Sequence, residues 1–169
     1  MIERLKRYLY RINLKLRGVT LQHNIRGRNF LYGNLKGLKN GAFIMFENGV
    51  KLNISDSNAI LTIGEYSYIN SYSIIDCHYR ITIGKRAQIG PHCYIGDFDH
   101  DLNVDVRQSA HRPNKSVAEV IIEENVWLGA GVIVLKGVII GKNSIIAAGS
   151  VVISDIPANV LAAGSPARV

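Results

Sequence analysis

A parallel β-helix of triangular coils is the fold class that this 169-residue chain predicts, and three observations carry it. An aliphatic residue recurs at every sixth position, a small or β-branched residue often follows it four later, and Gly, Asn or polar residues fill places between them. Ile63, Ile69, Ile75, Ile83, Ile89 and Ile95 lead the first series, with two extra residues after Ile75. Leu128, Val134, Ile140, Ile146 and Val152 lead the second. The small positions are Ser67, Ser73, Ala87, Cys93, Val132, Val138, Ser144 and Ser150.

A beat of six is neither the helical period nor a simple strand alternation. It suits a prism of three flat faces, each a short strand followed by a corner. The leaders point inward and stack from coil to coil, while hydrogen bonds between coils satisfy the backbone. Gly, Asn and polar residues suit corners where φ is positive. The beat alone does not fix the hand of the coil.

Along the chain, Ile2, Leu5, Leu9, Ile12 and Leu16 recur at spacings of three and four, which predicts a short amphipathic helix over 2–17 that stops at Gly18. Its stripe is expected either to pack on the body or a partner subunit, or to lie in a membrane interface. Residues 1–39 hold ten Lys and Arg against one acid, Glu3, so this segment carries +9 and the rest of the chain −2. Such a block suggests an anionic neighbour: a membrane surface, a phosphorylated ligand or nucleic acid. The expected division is a basic N-terminal helix and lead-in over 1–40 and a β-helix domain over 41–169. Within the lead-in, residues 18–40 read as irregular chain or as first coils with degenerate repeats. The stretch from about 99 to 119 is too polar for the prism and should loop outward.

Composition sets outer bounds. With 47% hydrophobic and 20% charged residues the chain is an ordinary globular one. No run approaches about 18 apolar residues, so no spanning helix is expected. The charged first residues lack an apolar core of the secretory type, so no secretory leader is expected. Cys77 and Cys93 give no disulfide framework, and Cys93 sits at a small inward position as a core thiol. A cytoplasmic setting, at the inner membrane face if the basic block binds there, is the expected location.

Residues 125–169, NVWLGAGVIVLKGVIIGKNSIIAAGSVVISDIPANVLAAGSPARV, resemble the C-terminal signature of the hexapeptide-repeat O-acetyltransferases. The maltose and galactoside acetyltransferases and the polysaccharide O-acetyltransferases are the most similar, and the likeness runs over roughly 60–169. It implies a left-handed coil, an exception to the usual right-handed crossover. It also implies an outward active-site loop, acetyl-CoA as co-substrate without a metal, and a homotrimer with its sites at subunit boundaries.

By that resemblance the histidine following the Ile89-Gly90-Pro91 turn is the catalytic base, which places the role on His100. The family often has proline next, where this chain has Asp101. The chemistry is coherent: a sugar hydroxyl is a poor nucleophile at neutral pH, and imidazole can take its proton as the oxygen attacks a thioester. The resulting oxyanion needs a fixed donor, by resemblance the amide of Ala130. Alignment of two bound reactants supplies much of the rate. Coenzyme A contacts carried across are Gly129, Ala130, Ala148, Ile153, Ser154 and Arg168. Ile153-Ser154 stands where relatives commonly have Thr-Lys, a missing phosphate contact that Lys136, Lys142 or the basic block would have to replace.

Candidate acceptor-binding residues are Asn70, His78, Asp99, His111 and Trp127. Asn70 reads equally as a polar corner, and His78 replaces an acidic acceptor-binding residue of relatives, which points to a different acceptor or grip. Asp97, Asp99 and Asp101 either orient the His100 ring or form a solvated acidic loop. Trp127, the only tryptophan, packs beside the site or plugs the loop base. His23 and His92 read as structural or surface residues.

The function implied is acetyl-CoA-dependent O-acetylation of a sugar or cell-surface polysaccharide precursor by direct transfer, with a small-molecule sugar or lipid-linked glycan as acceptor. N-acetylation of an amino sugar nucleotide, or acylation of an antibiotic, is the alternative on the same fold. A γ-type carbonic anhydrase would need three histidines around zinc, and the spacings of 55, 14, 8 and 11 offer no close pair of that kind. A non-catalytic scaffold or nucleic-acid binder lacks aromatic interleaving in the basic block, so no nucleic-acid partner is expected.

Overall fold

The structure is a computed structural model that describes residues 30–33, 38–41, 43–100 and 115–169. The helix expected over 2–17, His23, Asp101 and His111 lie outside these residues. The described chain winds into a left-handed parallel β-solenoid of about five turns. Three sheets form its faces. Face I stacks Met45–Phe46, Tyr68–Ile69, Gln88–Ile89, Trp127–Leu128, Ile145–Ile146 and Leu161–Gly164. Face II stacks Phe30–Gly33, Lys51–Ile54, Ile74–Cys77, Tyr94–Gly96, Ile133–Val134 and Val151–Val152. Face III stacks Leu38–Asn40, Ile60–Ile63, Arg80–Ile83, Val120–Ile122 and Ile139–Ile140. The first coil therefore begins within the lead-in, at Phe30 and Leu38, each paired to the coil above.

The register explains the beat. Ile69, Ile89, Leu128, Ile146 and Ala162 form one inward column. Leu52, Ile75, Ile95, Val134 and Val152 form a second. Every leader named above is at most 2% exposed, and every small residue at most 1%. Burying one isoleucine or leucine fully contributes about 1.5–3 kcal/mol, so these columns hold the rod together along its length. The inward serines donate instead of being lost: Ser67 Oγ to the Gly84 carbonyl at 2.9 Å, Ser73 Oγ to that of Gly90 at 2.8 Å, and Ser144 Oγ to that of Pro157 at 2.7 Å. The two extra residues after Ile75 lengthen strand Ile74–Cys77, so that both Ile75 and Cys77 face inward before the turn at His78-Tyr79.

The corners differ from expectation in one respect. Asn125, Asn143 and Asn159 hold positive φ as expected, and their amides ladder at 3.1 and 2.8 Å. Phe43, Tyr66, Tyr72 and His92, bulky residues, also sit at φ near +60°. Stacking offsets the cost of that conformation: Phe43 lies on Tyr66 at 5.1 Å and Tyr72 on His92 at 5.3 Å, one coil apart in each case.

Gly90 shows how tightly the coils approach. A Cβ built there would meet the Gly129 carbonyl carbon at 2.7 Å and the Leu128 oxygen at 2.8 Å, both backbone. Gly90→Ala is therefore expected to lower stability by about 1–3 kcal/mol, read as a lower thermal midpoint. An unchanged midpoint would mean that the coils can part at that corner without loss.

Candidate active site

The edge between faces II and III is the irregular one. Its turns vary in length, and at Gly96 the chain leaves the solenoid and returns at Val120. The departing and returning segments, Phe98–His100 and Lys115–Val117, pair antiparallel, with His100 opposite Lys115. The candidate base thus stands, solvent-exposed, on a two-stranded ribbon and not on irregular loop.

Two anchors fix this ribbon to the rod. Asp97, fully buried, accepts the backbone N–H of His78 at 2.7 Å and that of Tyr79 at 2.8 Å, and its own carbonyl accepts the Ala118 N–H at 3.0 Å. A carboxylate with its charge answered by two amides is the usual way a buried acid becomes tolerable. On the next coil Lys136 reaches Asp99 on one ribbon strand at 3.0 Å and Ser116 Oγ on the other at 2.8 Å. Asp97 is thus turned to the backbone and Asp99 to Lys136. Lys136 itself is engaged with the ribbon.

Aromatic rings fill the space between. His78, 8% exposed, packs its ring on Phe98 with centroids 3.7 Å apart, and Phe98 meets His100 edge-on at 5.6 Å. Asp76 Oδ1 lies 3.1 Å from His78 Nε2 and accepts from Asn53 Nδ2 at 2.7 Å, and Asp56 Oδ2 lies 3.6 Å from His78 Nδ1. Burial, then Asp76, Asp97 and Asp99, push the Tyr94 hydroxyl up to about 12, so it stays a donor. Burial and Asp97 likewise push the Cys77 thiol up to about 12, and burial raises that of Cys93. Neither cysteine presents a thiolate, so nucleophilic sulfur chemistry is not what this edge offers.

The remaining sequence-picked residues fall elsewhere. Asn70, Gly129, Ala130 and Ala148 line the edge between faces I and II; Trp127, half-exposed, stands on face I beside it. Ile153 and Ser154 are exposed on the II–III edge, and Arg168 lies in the strand Ala167–Arg168 that closes the rod. One chain brings together His78, Asp99 and His100, but the width of face II, a strand of about 10 Å, separates them from Ala130 and Asn70.

The I–II edge has its own chemical feature. Ser71, Pro91, Ala130 and Ala148 occupy equivalent corner positions in successive coils. The Ser71 N–H is taken by Asn70 Oδ1 at 2.7 Å, and Pro91 has none. Among the described residues, the N–H groups of the exposed residues Ala130 and Ala148 have no acceptor, although the Ala130 carbonyl accepts from Gly149 at 2.8 Å. A backbone amide left without an acceptor on a rigid coil suits a developing oxyanion. Phe98, Asp56 and the Ser116–Lys136 contact escaped the sequence reading because only stacking on the II–III edge brings them together. A cleft of about 590 Å³ between Phe43, Met45, Tyr66, Tyr68 and Gln88 lies on face I, away from these groups. Among the described residues, no three His, Cys, Asp or Glu side chains gather to hold a metal ion.

The left-handed β-helix, with a histidine-bearing ribbon on one edge, is the fold of the hexapeptide-repeat acyltransferases. The model of the family described as bacterial transferase hexapeptide (six repeats) matches residues 119–154. A galactoside O-acetyltransferase of Lactococcus lactis is 44% identical over 117 residues, covering 69% of this chain and 54% of that protein. A solved hexapeptide-repeat-containing acetyltransferase from Vibrio cholerae is 30% identical, with TM-score 0.66, covering 78% of this chain and 71% of that one. The same protein complexed with acetyl coenzyme A, from the O1 biovar eltor, aligns at 25% identity and TM-score 0.60, covering 96% and 75%. An N-acyltransferase from Bacillus cereus, in complex with dTDP-4-amino-4,6-dideoxyglucose and coenzyme A, shares the fold at 21% identity and TM-score 0.71, covering 85% and 77%. This chain belongs to the hexapeptide-repeat acetyltransferases. It spans about half the length of the curated relatives it matches.

Proposed function

We propose that this protein transfers acetyl from acetyl-CoA to a hydroxyl of a sugar or glycan precursor, with His100 as general base and the Ala130 amide as oxyanion donor. The carrying observation is the position of His100, exposed on a ribbon that Asp97 and Lys136 brace against a rigid rod. A base so held can approach a hydroxyl with little reorganisation. The galactoside O-acetyltransferase likeness favours a hydroxyl acceptor, and the acetyl-CoA complex of the Vibrio relative favours the donor.

The donor amide and the base stand on different edges, so the reading requires a second copy of the chain. A ring of three with face II turned inward brings the I–II edge of one subunit against the II–III edge of the next. Ile74, Tyr94, Ile133 and Val151 face outward in register along that face and would line the contact. Coenzyme A would then lie in the seam, its thioester between Ala130 of one subunit and His100 of its neighbour. The basic N-terminal block would hold the enzyme near an anionic, membrane-borne acceptor on the cytoplasmic side.

The test is thioester cleavage by purified protein across a panel of sugars bearing hydroxyl or amino groups, with labelled acetyl-CoA. Label stable to hydroxylamine, as an amide is, would move the assignment to N-acetylation; no cleavage with any acceptor would sink the reading. Mixing His100→Ala with Ala130→Pro chains tests the seam. Random trimers of two inactive variants should regain about a quarter of wild-type activity, because each complete site draws its two groups from different chains. No regain would place both groups in one chain's site.

A further inference from the structure

Building on His100 as the base, we infer that Phe98, clamped on His78, is the positioning residue that orients the His100 imidazole, and that His78 serves this stack and not the acceptor. The His78 side chain is 6% exposed; Asp76 and Asp56 face its two nitrogens at 3.1 and 3.6 Å. Phe98 covers a face of the ring at 3.7 Å and a 40° tilt. An imidazole enclosed on its edges and on one face has little left to offer a sugar. Its backbone is held as firmly, since the N–H of His78 donates to Asp97, the residue before Phe98. Ring and main chain therefore lock the same two segments together twice. Phe98 then presents its ring at 87° to that of His100, the edge-to-face arrangement that aromatic quadrupoles favour. Asn53 completes the series by holding Asp76 at 2.7 Å. The orientation of an exposed side chain is thereby set from the outer surface of face II, through Asn53, Asp76, His78 and Phe98 in turn.

Two substitutions separate this role from acceptor binding. Phe98→Leu keeps the volume apolar but removes the ring, and is expected to lower kcat about 10-fold or more, as misplacement by about 1 Å costs up to about 10²-fold. KM for acetyl-CoA and for the acceptor should stay unchanged, and Phe98→Tyr should restore kcat. His78→Phe keeps an aromatic plate and discards both nitrogens, so acceptor KM should hold within about twofold. The His100 ring protons, observed by NMR, should shift in Phe98→Leu and return in Phe98→Tyr, a readout that needs no turnover. Wild-type kcat with unmoved His100 resonances in Phe98→Leu overturns the inference, as does a raised acceptor KM in His78→Phe. Near-wild-type turnover in His100→Ala would instead overturn the base assignment, and this inference with it, in a different variant.

Discussion

His100→Ala is expected to lower acetyl transfer by about 10²–10⁴-fold, the range a positioned general base supplies, with acetyl-CoA affinity nearly intact. The loss falls on kcat because the proton leaves the hydroxyl only as the new bond forms, so the imidazole acts in the transition state. Acetyl-CoA affinity is expected to be spared because the proposed contacts at Gly129, Ala130 and Ala148 stand on the other edge of the rod, and Ile153 and Ser154 on the edge of His100 are unaltered in the variant. Stability should change by no more than about 0.5 kcal/mol, the usual range for exposed positions, since His100 is solvent-exposed on the ribbon. Steady-state kinetics with a thioester readout, beside a thermal melt, checks all three. A variant that turns over near the wild-type rate would mean that the base lies elsewhere.

Ala130→Pro is the second substitution of large effect. It deletes one hydrogen atom of interest, the N–H, and is expected to cost about 10²–10³-fold in kcat, as removal of an oxyanion donor does. The backbone should accept it for three reasons visible in the rod. Pro91 already occupies the equivalent corner one coil earlier. The residue before the new proline is Gly129, which has no side chain to meet its ring. The Ala130 N–H joins no bond to the described residues, while the carbonyl that accepts from Gly149 is kept. Loss of kcat with an unchanged melt supports the amide's role. Unchanged kcat in a folded protein would remove Ala130 from the reaction.

The solenoid was legible because its determinants are local. An inward side chain every six residues, a small one four later and a corner between them are properties of a hexad, and stacking repeats them. For the same reason Cys93 could be placed in the core by its beat alone. The candidate site residues His100 and Ala130 came from resemblance alone, since no hexad pattern singles them out. His78 could be singled out, but not its contact with Phe98, twenty residues away and invisible as a neighbour until the coils are stacked. Asp97 looked like one of three loop acids. Burial distinguishes it, and burial follows from where the chain leaves the rod.

Sequence by itself determined the period, the inward columns and the point near residue 99 at which polarity breaks the beat, because each depends on residues within one coil. Tertiary structure alone decided which edge each corner occupies. A corner's edge depends on the count of residues in every preceding strand, and the two residues added after Ile75 show how that count shifts. That bookkeeping separates His100 from Ala130 by a face of the prism, and it is why the proposed site draws on two chains.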